Sequence, residues 1–210
     1  MKKILVFLAV FIIAAPVFAQ AEWDGEQKMA VTFNPFPFIG GLLLRGVGID
    51  AGLEYAPVSM ASVKTSFYFF KFDPTKWFDT SSDSSNYDIH FLRFSLEGRW
   101  YPSQEYVKGF FLNGGLFFHQ FGVSASMNYS GADFSGSDSL NTFGLYIGAG
   151  NKMVYGSGRV AFVMEPTLDF AWPLYSDIPF DKMDIISSNF VGWCLGVKLL
   201  RFGFRLGVAF

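Results

Sequence analysis

The chain has 210 residues, of which 51% are hydrophobic, 20% aromatic (27 of them Phe) and only 16% charged. That length suits one domain, and the charge content is too low for an ordinary water-soluble one, where about a quarter is usual. A formal net charge of −2 argues against a nucleic-acid partner, which needs a cationic stripe, and the single cysteine, Cys194, rules out an internal disulfide.

The chain opens "MKKILVFLAVFIIAAPVFAQAEWD". Lys2 and Lys3 form a basic start, Ile4 to Ala15 an apolar run, and Ala19-Gln20-Ala21 a small-residue cleavage site, which together predict an export signal over 1–21. The run would reach only about 18 Å as a helix, too short to span a bilayer. Cleavage is expected after Ala21 or Ala19, leaving 22–210 as one domain. Without Lys2 and Lys3, 14 basic residues face 18 acidic ones, a net of −4. No later apolar run approaches eighteen residues, so no transmembrane helix is expected.

From residue 29 onward, short alternating segments recur. "MAVTFN" puts Met29, Val31 and Phe33 on one side. "GVGIDAGLEYA" sets Val47, Ile49, Leu53 and Tyr55 against Gly48, Asp50, Gly52 and Glu54. "ASVKTSFYFF" sets Val63, Thr65, Phe67 and Phe69 against Ser62, Lys64, Ser66 and Tyr68. In "FLRFSLEGRWY", Leu92, Phe94, Leu96 and Trp100 oppose Arg93, Ser95, Glu97 and Arg99. "GFFLNGGLFFHQ" carries Phe on both sides, with Phe110, Leu112, Leu116 and Phe118 opposite Phe111, Asn113, Gly115 and Phe117. "TFGLYIGAGNK" offers Phe143, Leu145 and Ile147 against Gly144, Tyr146, Gly148 and Lys152. "RVAFVMEPTLDFAW" offers Phe162, Met164, Leu168, Phe170 and Trp172 against Arg159, Glu165, Thr167 and Asp169. The last segment, "RFGFRLGVAF", alternates Phe202, Phe204, Leu206, Val208 and Phe210 with Arg201, Gly203, Arg205, Gly207 and Ala209.

Period two means that the two sides of each strand meet different surroundings. A β-sandwich gives the same alternation, but two features favour a closed barrel with lipid outside. The apolar parity carries no Asp, Glu, Lys or Arg, and the polar parity is rich in glycine, as a narrow interior requires. The connections also alternate. "PVSM" (57–60), "PSQEYVK" (102–108) and "YGSG" (155–158) are short, whereas 71–87, 122–141 and 173–188 are long and polar. Tight turns at one end and long loops at the other fit a transmembrane barrel, which leaves no strand edge unpaired in lipid. Tyr55, Trp100, Tyr101, Trp172 and Phe210 sit at strand ends, where interfacial girdles of aromatics belong. The expected fold is all-β: a closed antiparallel up-and-down transmembrane β-barrel of eight strands, with both termini at the periplasmic end.

Residues 189–210 run to about twice the usual spanning length. Either a bulge near Leu199-Leu200 flips the faces of one long strand, or "KLLR" turns a hairpin and the count becomes ten. The turn lacks Gly, Asn or Asp, which favours the bulge. A register with Glu165 opposite Arg205 also sets Asp169 opposite Arg201, and the turn at Pro57 sets Glu54 opposite Lys64. With Asp50, Arg93, Glu97 and Arg99, these predict a lumen network of opposite charges in a barrel just wide enough for side chains to fill. Its expected role is structural, closing the lumen without a continuous pore.

The closing "FGFRLGVAF" resembles the terminal strand of small bacterial outer-membrane barrels of the OmpA/OmpX/OmpW type, and "GVGIDAGLEYAP" and "LEGRWYPSQEYVKGFFLNGG" resemble other stretches of such domains. The resemblance implies a bacterial outer-membrane location amid phospholipid and lipopolysaccharide-type lipid. It also implies recognition by the outer-membrane assembly machinery through Phe202, Phe204, Leu206, Val208 and Phe210. It implies a structural or surface-interaction role, with an extracellular ligand for loops 71–87, 122–141 and 173–188. An OmpW-like channel for hydrophobic solutes, lined by Phe111, Phe117 and Tyr146, is the alternative.

Some barrels of this size modify lipid A, which would require a His/Ser/acid group. His119 falls on the inner parity and His90 on the outer, with Asp88, Ser124 and Ser126 near, and no compact base–nucleophile pair emerges. No third ligand joins the histidines for a metal, and "GGLLLRGVG" lacks the lysine and helix of a phosphate loop. No enzymatic activity and no cofactor are expected.

Overall fold

The computed structural model describes residues 27–74, 85–103, 108–129, 132–156, 159–177 and 200–210. The strands are β1 (Met29–Phe33), β2 (Val47–Val58), β3 (Ala61–Phe72), β4 (Ser85–Trp100), β5 (Gly109–Tyr129), β6 (Ala132–Tyr155), β7 (Ala161–Ser176) and β8 (Leu200–Ala209), with one helix, α1 (Pro35–Leu43), between β1 and β2. Each strand pairs antiparallel with the next, and β1 returns to β8 to close an eight-strand up-and-down barrel. At the join, the amide of Met29 donates to the carbonyl of Phe210 and the amide of Phe210 to that of Met29, at 2.9 and 2.8 Å.

The alternation read from the sequence is the alternation of the wall. Leu53, Val63, Leu96, Leu116, Leu145 and Leu168 are exposed outside, while Glu54, Lys64, Glu97 and Glu165 are buried within. The ambiguous segment resolves as Phe110 and Phe118 outside and Phe111 and Phe117 inside, the latter two no more than 1% exposed. The exterior is therefore an apolar belt running round the barrel. The end holding Met29 and Phe210 is closed inside by Ala30, Ala56, Val163 and Ala209. Above that apolar floor, the lumen turns polar.

Three expectations are corrected. The span 122–141 is not a loop but the upper part of a β5–β6 ladder that continues to Tyr129 opposite Ala132. Above Gln120 the alternation reverses its sense: Phe121, Val123, Ala125 and Leu140 share the inner parity, and Ser124, Ser126, Ser135, Ser137 and Ser139 the outer, so the pattern of an apolar outer row does not continue and the stretch reads as polar loop. Likewise β3 reaches Phe72 and β4 begins at Ser85, and β7 extends to Ser176, so both ends of 71–87 and the start of 173–188 are strand rather than loop. Third, Tyr101 is not a girdle residue: it is fully buried and turned inward, whereas Tyr55, Trp100 and Trp172 are exposed as expected. The strand count is eight rather than ten. The bulge near Leu199, Cys194 and the signal over 1–21 lie outside the described residues.

The alternation does not anticipate the helix, yet its start is written locally. Asn34 caps it by accepting from the amide of Phe36 at 3.0 Å, and Pro35 occupies the first helical position, where a missing N–H costs nothing. Arg45, with φ of 51°, ends it, and the amide of Gly46 donates to Gly41. The helix seats closely on β2: a Cβ at Gly48 would stand 1.9 Å from the carbonyl oxygen of Pro37, so any other residue there would dislodge the helix.

Candidate functional site

The striped wall brings the acidic and basic residues of six strands into one lumen, and the lower part of that lumen is a closed set of ions. Arg99, at its centre, donates from Nη1 to Glu54 at 2.8 Å and to Glu165 at 2.9 Å, and from Nη2 to Glu165 at 2.8 Å. Its Nε and Nη2 also hold Glu97, the residue two positions back on the same inner face. Lys64 Nζ donates to Glu165 at 2.5 Å. Lys152 Nζ bridges Glu54 and Glu165, the second at 3.2 Å. Three cations thus meet three carboxylates, and none of Lys64, Arg99, Lys152, Glu54 or Glu165 has an exposed side chain.

Neutral donors take the remaining carboxylate lone pairs. Ser62 Oγ and Tyr101 OH each donate to Glu54 Oε1 at 2.6 Å, and Tyr146 OH donates to Glu97 Oε2 at 2.6 Å. The face of Phe111 lies 4.2 Å under the Arg99 guanidinium, a cation–π contact that fills the space no acceptor occupies. This matters energetically, because a buried ion pair offsets its desolvation only when the leftover polar groups are also satisfied.

Higher in the lumen the arrangement loosens. Arg205 donates to Asp50 at 3.2 Å, and Asn34 donates to the other oxygen of Asp50 at 3.2 Å. Asn113 Nδ2 donates to Asp169 at 2.9 Å. Space is tight here too: a Cβ at Gly148 would stand 2.2 Å from the Asp169 carboxylate. The Arg201 guanidinium sits over Phe117 at 4.4 Å and that of Arg93 over Tyr68 at 5.2 Å. Above them Phe91, His119 and Phe121 form an aromatic layer, with Phe91 6.3 Å from His119 and 5.0 Å from Phe121.

All ten charged residues expected inside, Asp50, Glu54, Lys64, Arg93, Glu97, Arg99, Glu165, Asp169, Arg201 and Arg205, share the inner parity of their strands. The expected registers also hold: Glu165 is opposite Arg205, Asp169 opposite Arg201 and Glu54 opposite Lys64. The partnerships nonetheless differ from the registers. Lys64 bonds Glu165 rather than its neighbour Glu54, and Arg205 bonds Asp50 rather than Glu165. In so narrow a barrel, long side chains directed at the axis reach the far wall as easily as the next strand. Sequence reasoning puts Lys152 on the inner parity without joining it to the network, and it misses the roles of Tyr101, Ser62 and Asn113. The alternation that reaches Lys152 through Gly144, Tyr146 and Gly148 is the available signal for it.

The two histidines do not form one site. His119 is buried inside, while His90 lies outside over Gly122, where an added Cβ would stand 2.2 Å from its ring. Asp88, on the same outer face, is engaged by Lys71 at 3.0 Å. No group of three or more His, Cys, Asp or Glu poised for a metal occurs among the described residues.

No family model matches the sequence, and no curated protein does. Three solved structures resemble the chain in shape. CarO of Acinetobacter baumannii is 10% identical with a TM-score of 0.41, the alignment covering 88% of this chain and 97% of that one. Its CarO2 counterpart is 13% identical with a TM-score of 0.39 over the same shares. A major outer membrane protein from Thermus thermophilus is 13% identical with a TM-score of 0.46, over 88% of this chain and 98% of that one. Likeness at this level bears no weight on function.

Proposed function

We propose that this chain is an integral outer-membrane β-barrel protein of the small OmpA/OmpX/OmpW kind, exported by a cleaved signal, with a structural or surface-interaction role and a lumen closed to ions. The carrying observation is an inversion. Leu, Phe and Trp cover the outside of a closed barrel, while Lys64, Arg99, Lys152, Glu54 and Glu165 are sealed inside it. A water-soluble barrel would be the reverse. Hydrocarbon is the solvent in which an apolar belt is favourable, and a closed sheet leaves no backbone edge to be satisfied there. The terminal strand, with Phe202, Phe204, Leu206, Val208 and Phe210 on one parity, supplies the surface for recognition by the assembly machinery.

The test is refolding into phospholipid vesicles, followed by protease protection, heat-modifiable gel mobility and planar-bilayer recording. Insertion without steady conductance is expected. A chain that stays monomeric in water without detergent overturns the membrane reading, and a stable open-channel current overturns closure.

The alternative is a channel for hydrophobic solutes, since Phe111, Phe117 and Tyr146 do face inward. Those rings are already engaged: Phe111 by Arg99 and Tyr101, Phe117 by Arg201, and Tyr146 by Glu97. They act as packing here, which favours closure. A lipid A-modifying activity has no support from the histidines, which stand on opposite faces of the wall. The β5–β6 ladder rises beyond the β6–β7 pairing, which ends at Thr142 opposite Ser176, and is the element best placed to meet an extracellular partner.

A further inference from the structure

Counted over the inner faces of the described strands, the lumen is not neutral. Lys64, Arg93, Arg99, Lys152, Arg201 and Arg205 are six cations, and Asp50, Glu54, Glu97, Glu165 and Asp169 are five carboxylates. Asp138 shares the inner parity of β6 but is exposed, on the hairpin above the point where the β6–β7 ladder ends. The closed set around Arg99 balances three cations with three carboxylates. The surplus of one positive charge therefore belongs to the upper lumen, where Arg93, Arg201 and Arg205 meet Asp50 and Asp169.

The surplus falls on a particular residue. Arg205 bonds Asp50, and Arg201 stands opposite Asp169 in the β7–β8 register. Arg93 rests on the Tyr68 ring and, among the described residues, makes no ion pair. A ring covers the face of a guanidinium, but the N–H groups point outward in its plane and still call for acceptors. Arginine also keeps its proton at any ordinary pH, so titration does not remove the charge. A charge without a counter-charge in a confined lumen is costly.

Arg93 lines a cavity of about 80 Å³. The β8 backbone from Arg201 to Arg205 forms one side of it, and Asp50, Glu97, Tyr146, Thr167 and Asp169 line it from the inner faces of β2, β4, β6 and β7. The space is therefore luminal. Glu97, which bonds Arg99, marks where it meets the closed set. A water takes about 30 Å³ of liquid, so the cavity holds a few waters or one small ion and no larger solute. Thr167 brings a hydroxyl to it, and the absent side chain of Gly203 leaves room there, since a Cβ would stand 2.3 Å from the Thr167 Oγ1. Arg93 and Arg201 are both partly exposed, so water reaches them.

We propose that the upper lumen binds one small monovalent anion, of carboxylate or halide size, against Arg93. A single negative charge brings the lumen to six against six. A planar carboxylate accepts two N–H groups of the guanidinium fork at once, whereas a halide supplies the same charge without that fit. The closed set stops the ion below, so the site binds without conducting. It goes beyond the membrane reading, because it stands on the charges of the lumen and not on the solvent outside the wall.

The test uses the full chain refolded in zwitterionic nanodiscs, with heat-modifiable mobility as the check of folding and isothermal titration calorimetry as the readout. The probes are formate and chloride, titrated at constant ionic strength against a background of gluconate, a carboxylate too large for the cavity. At least one probe is expected to bind once per barrel and at least about tenfold more tightly than gluconate, and the tighter of the two identifies the anion class. Arg93→Gln removes the surplus charge and is expected to weaken binding about tenfold. Asp169→Asn keeps the shape of the side chain, raises the surplus from one to two, and is expected to tighten binding by a similar factor. The two variants shift binding in opposite directions, so a loss of folding in one leaves the other to decide. Formate and chloride both binding no better than gluconate, or either folded variant binding like the parent, overturns the site while leaving a folded membrane barrel. A chain that does not enter the discs overturns the membrane reading, and the same titrations on the chain folded in zwitterionic detergent then decide the site.

Discussion

The lower and upper halves of this lumen are built from the same residue types and behave differently. Around Arg99 the charges balance, every strand is laddered on both sides, and Tyr101, Ser62 and Phe111 occupy what the ions leave. Around Arg201 and Arg93 the guanidinium groups rest on aromatic faces, the cations exceed the carboxylates, and the β1–β8 ladder has given way to α1, packed on β8 through Phe36 and Phe204. The contrast teaches that charge inside a narrow barrel is not one kind of feature. Matched and saturated, it closes the lumen; in slight excess, it leans on aromatic faces where no carboxylate is left to share.

The sharpest way to break the contrast is to unbalance the lower half. Glu165→Ala leaves Lys64, Lys152 and Arg99 sharing the remaining carboxylates in a buried space. Removing one partner of a buried pair costs about 3–5 kcal/mol. Urea unfolding in vesicles is expected to show a loss of that size, whereas Arg93→Gln in the upper half loses less. Equal losses would erase the distinction between the halves.

Next in size is the exterior. Leu96 is half-exposed in the middle of the outer parity of β4. If that face meets hydrocarbon, Leu96→Arg costs about 2–4 kcal/mol, while the same change in an exposed water-facing position costs little. Unfolding titrations in lipid read the difference. Smaller again is Tyr101→Phe, which removes one of the hydrogen bonds to Glu54 and leaves those from Ser62, Arg99 and Lys152 in place. A loss of about 1.5–3 kcal/mol is expected, typical for a bond to a charged acceptor.

How much of this is legible in the sequence divides along the same line. Wherever the two faces of a strand meet different surroundings, parity is enough. It yields eight strands, the inward carboxylates and guanidinia, and the Glu165–Arg205, Asp169–Arg201 and Glu54–Lys64 registers. It fails where the contrast changes sense: above Gln120 the β5–β6 ladder carries Phe121, Val123 and Leu140 on the inner parity and serines on the outer, and reads as a loop. It also fails to choose partners, because Lys64 reaching Glu165 is a matter of side-chain length across a lumen rather than position along a strand. The shortness of β1 is hidden for a different reason. Asn34-Pro35 announces a helix start, but that the helix displaces the upper part of β1 from the wall is visible only once both neighbours of β1 are seen to outrun it.

The smallest effect expected lies at the far rim, outside both halves. Asp177 is fully exposed, yet it accepts from the Tyr175 hydroxyl at 2.7 Å and from the backbone and side chain of Asn141, at 2.7 and 3.0 Å. These bonds favour the charged form, with the Tyr175 hydroxyl the largest cause, and hold the Asp177 carboxyl below its ordinary value. Because the folded value is the lower one, whatever stability the group contributes is present above the ordinary carboxylate pKa. It is lost as pH falls through the folded value. Asp177→Asn is therefore expected to differ slightly from the parent at neutral pH and not at all at strongly acidic pH. Solvent screens an exposed group of this kind, so the difference should stay well below that of any lumen substitution. Hydrogen exchange at the Asn141 amide, which donates to Asp177, is the measurement local enough to resolve it. Protection that falls with acid in the parent and is already low and pH-independent in the variant is the expected result. Protection unchanged by the substitution would place the ordering of this rim in the β6–β7 ladder alone.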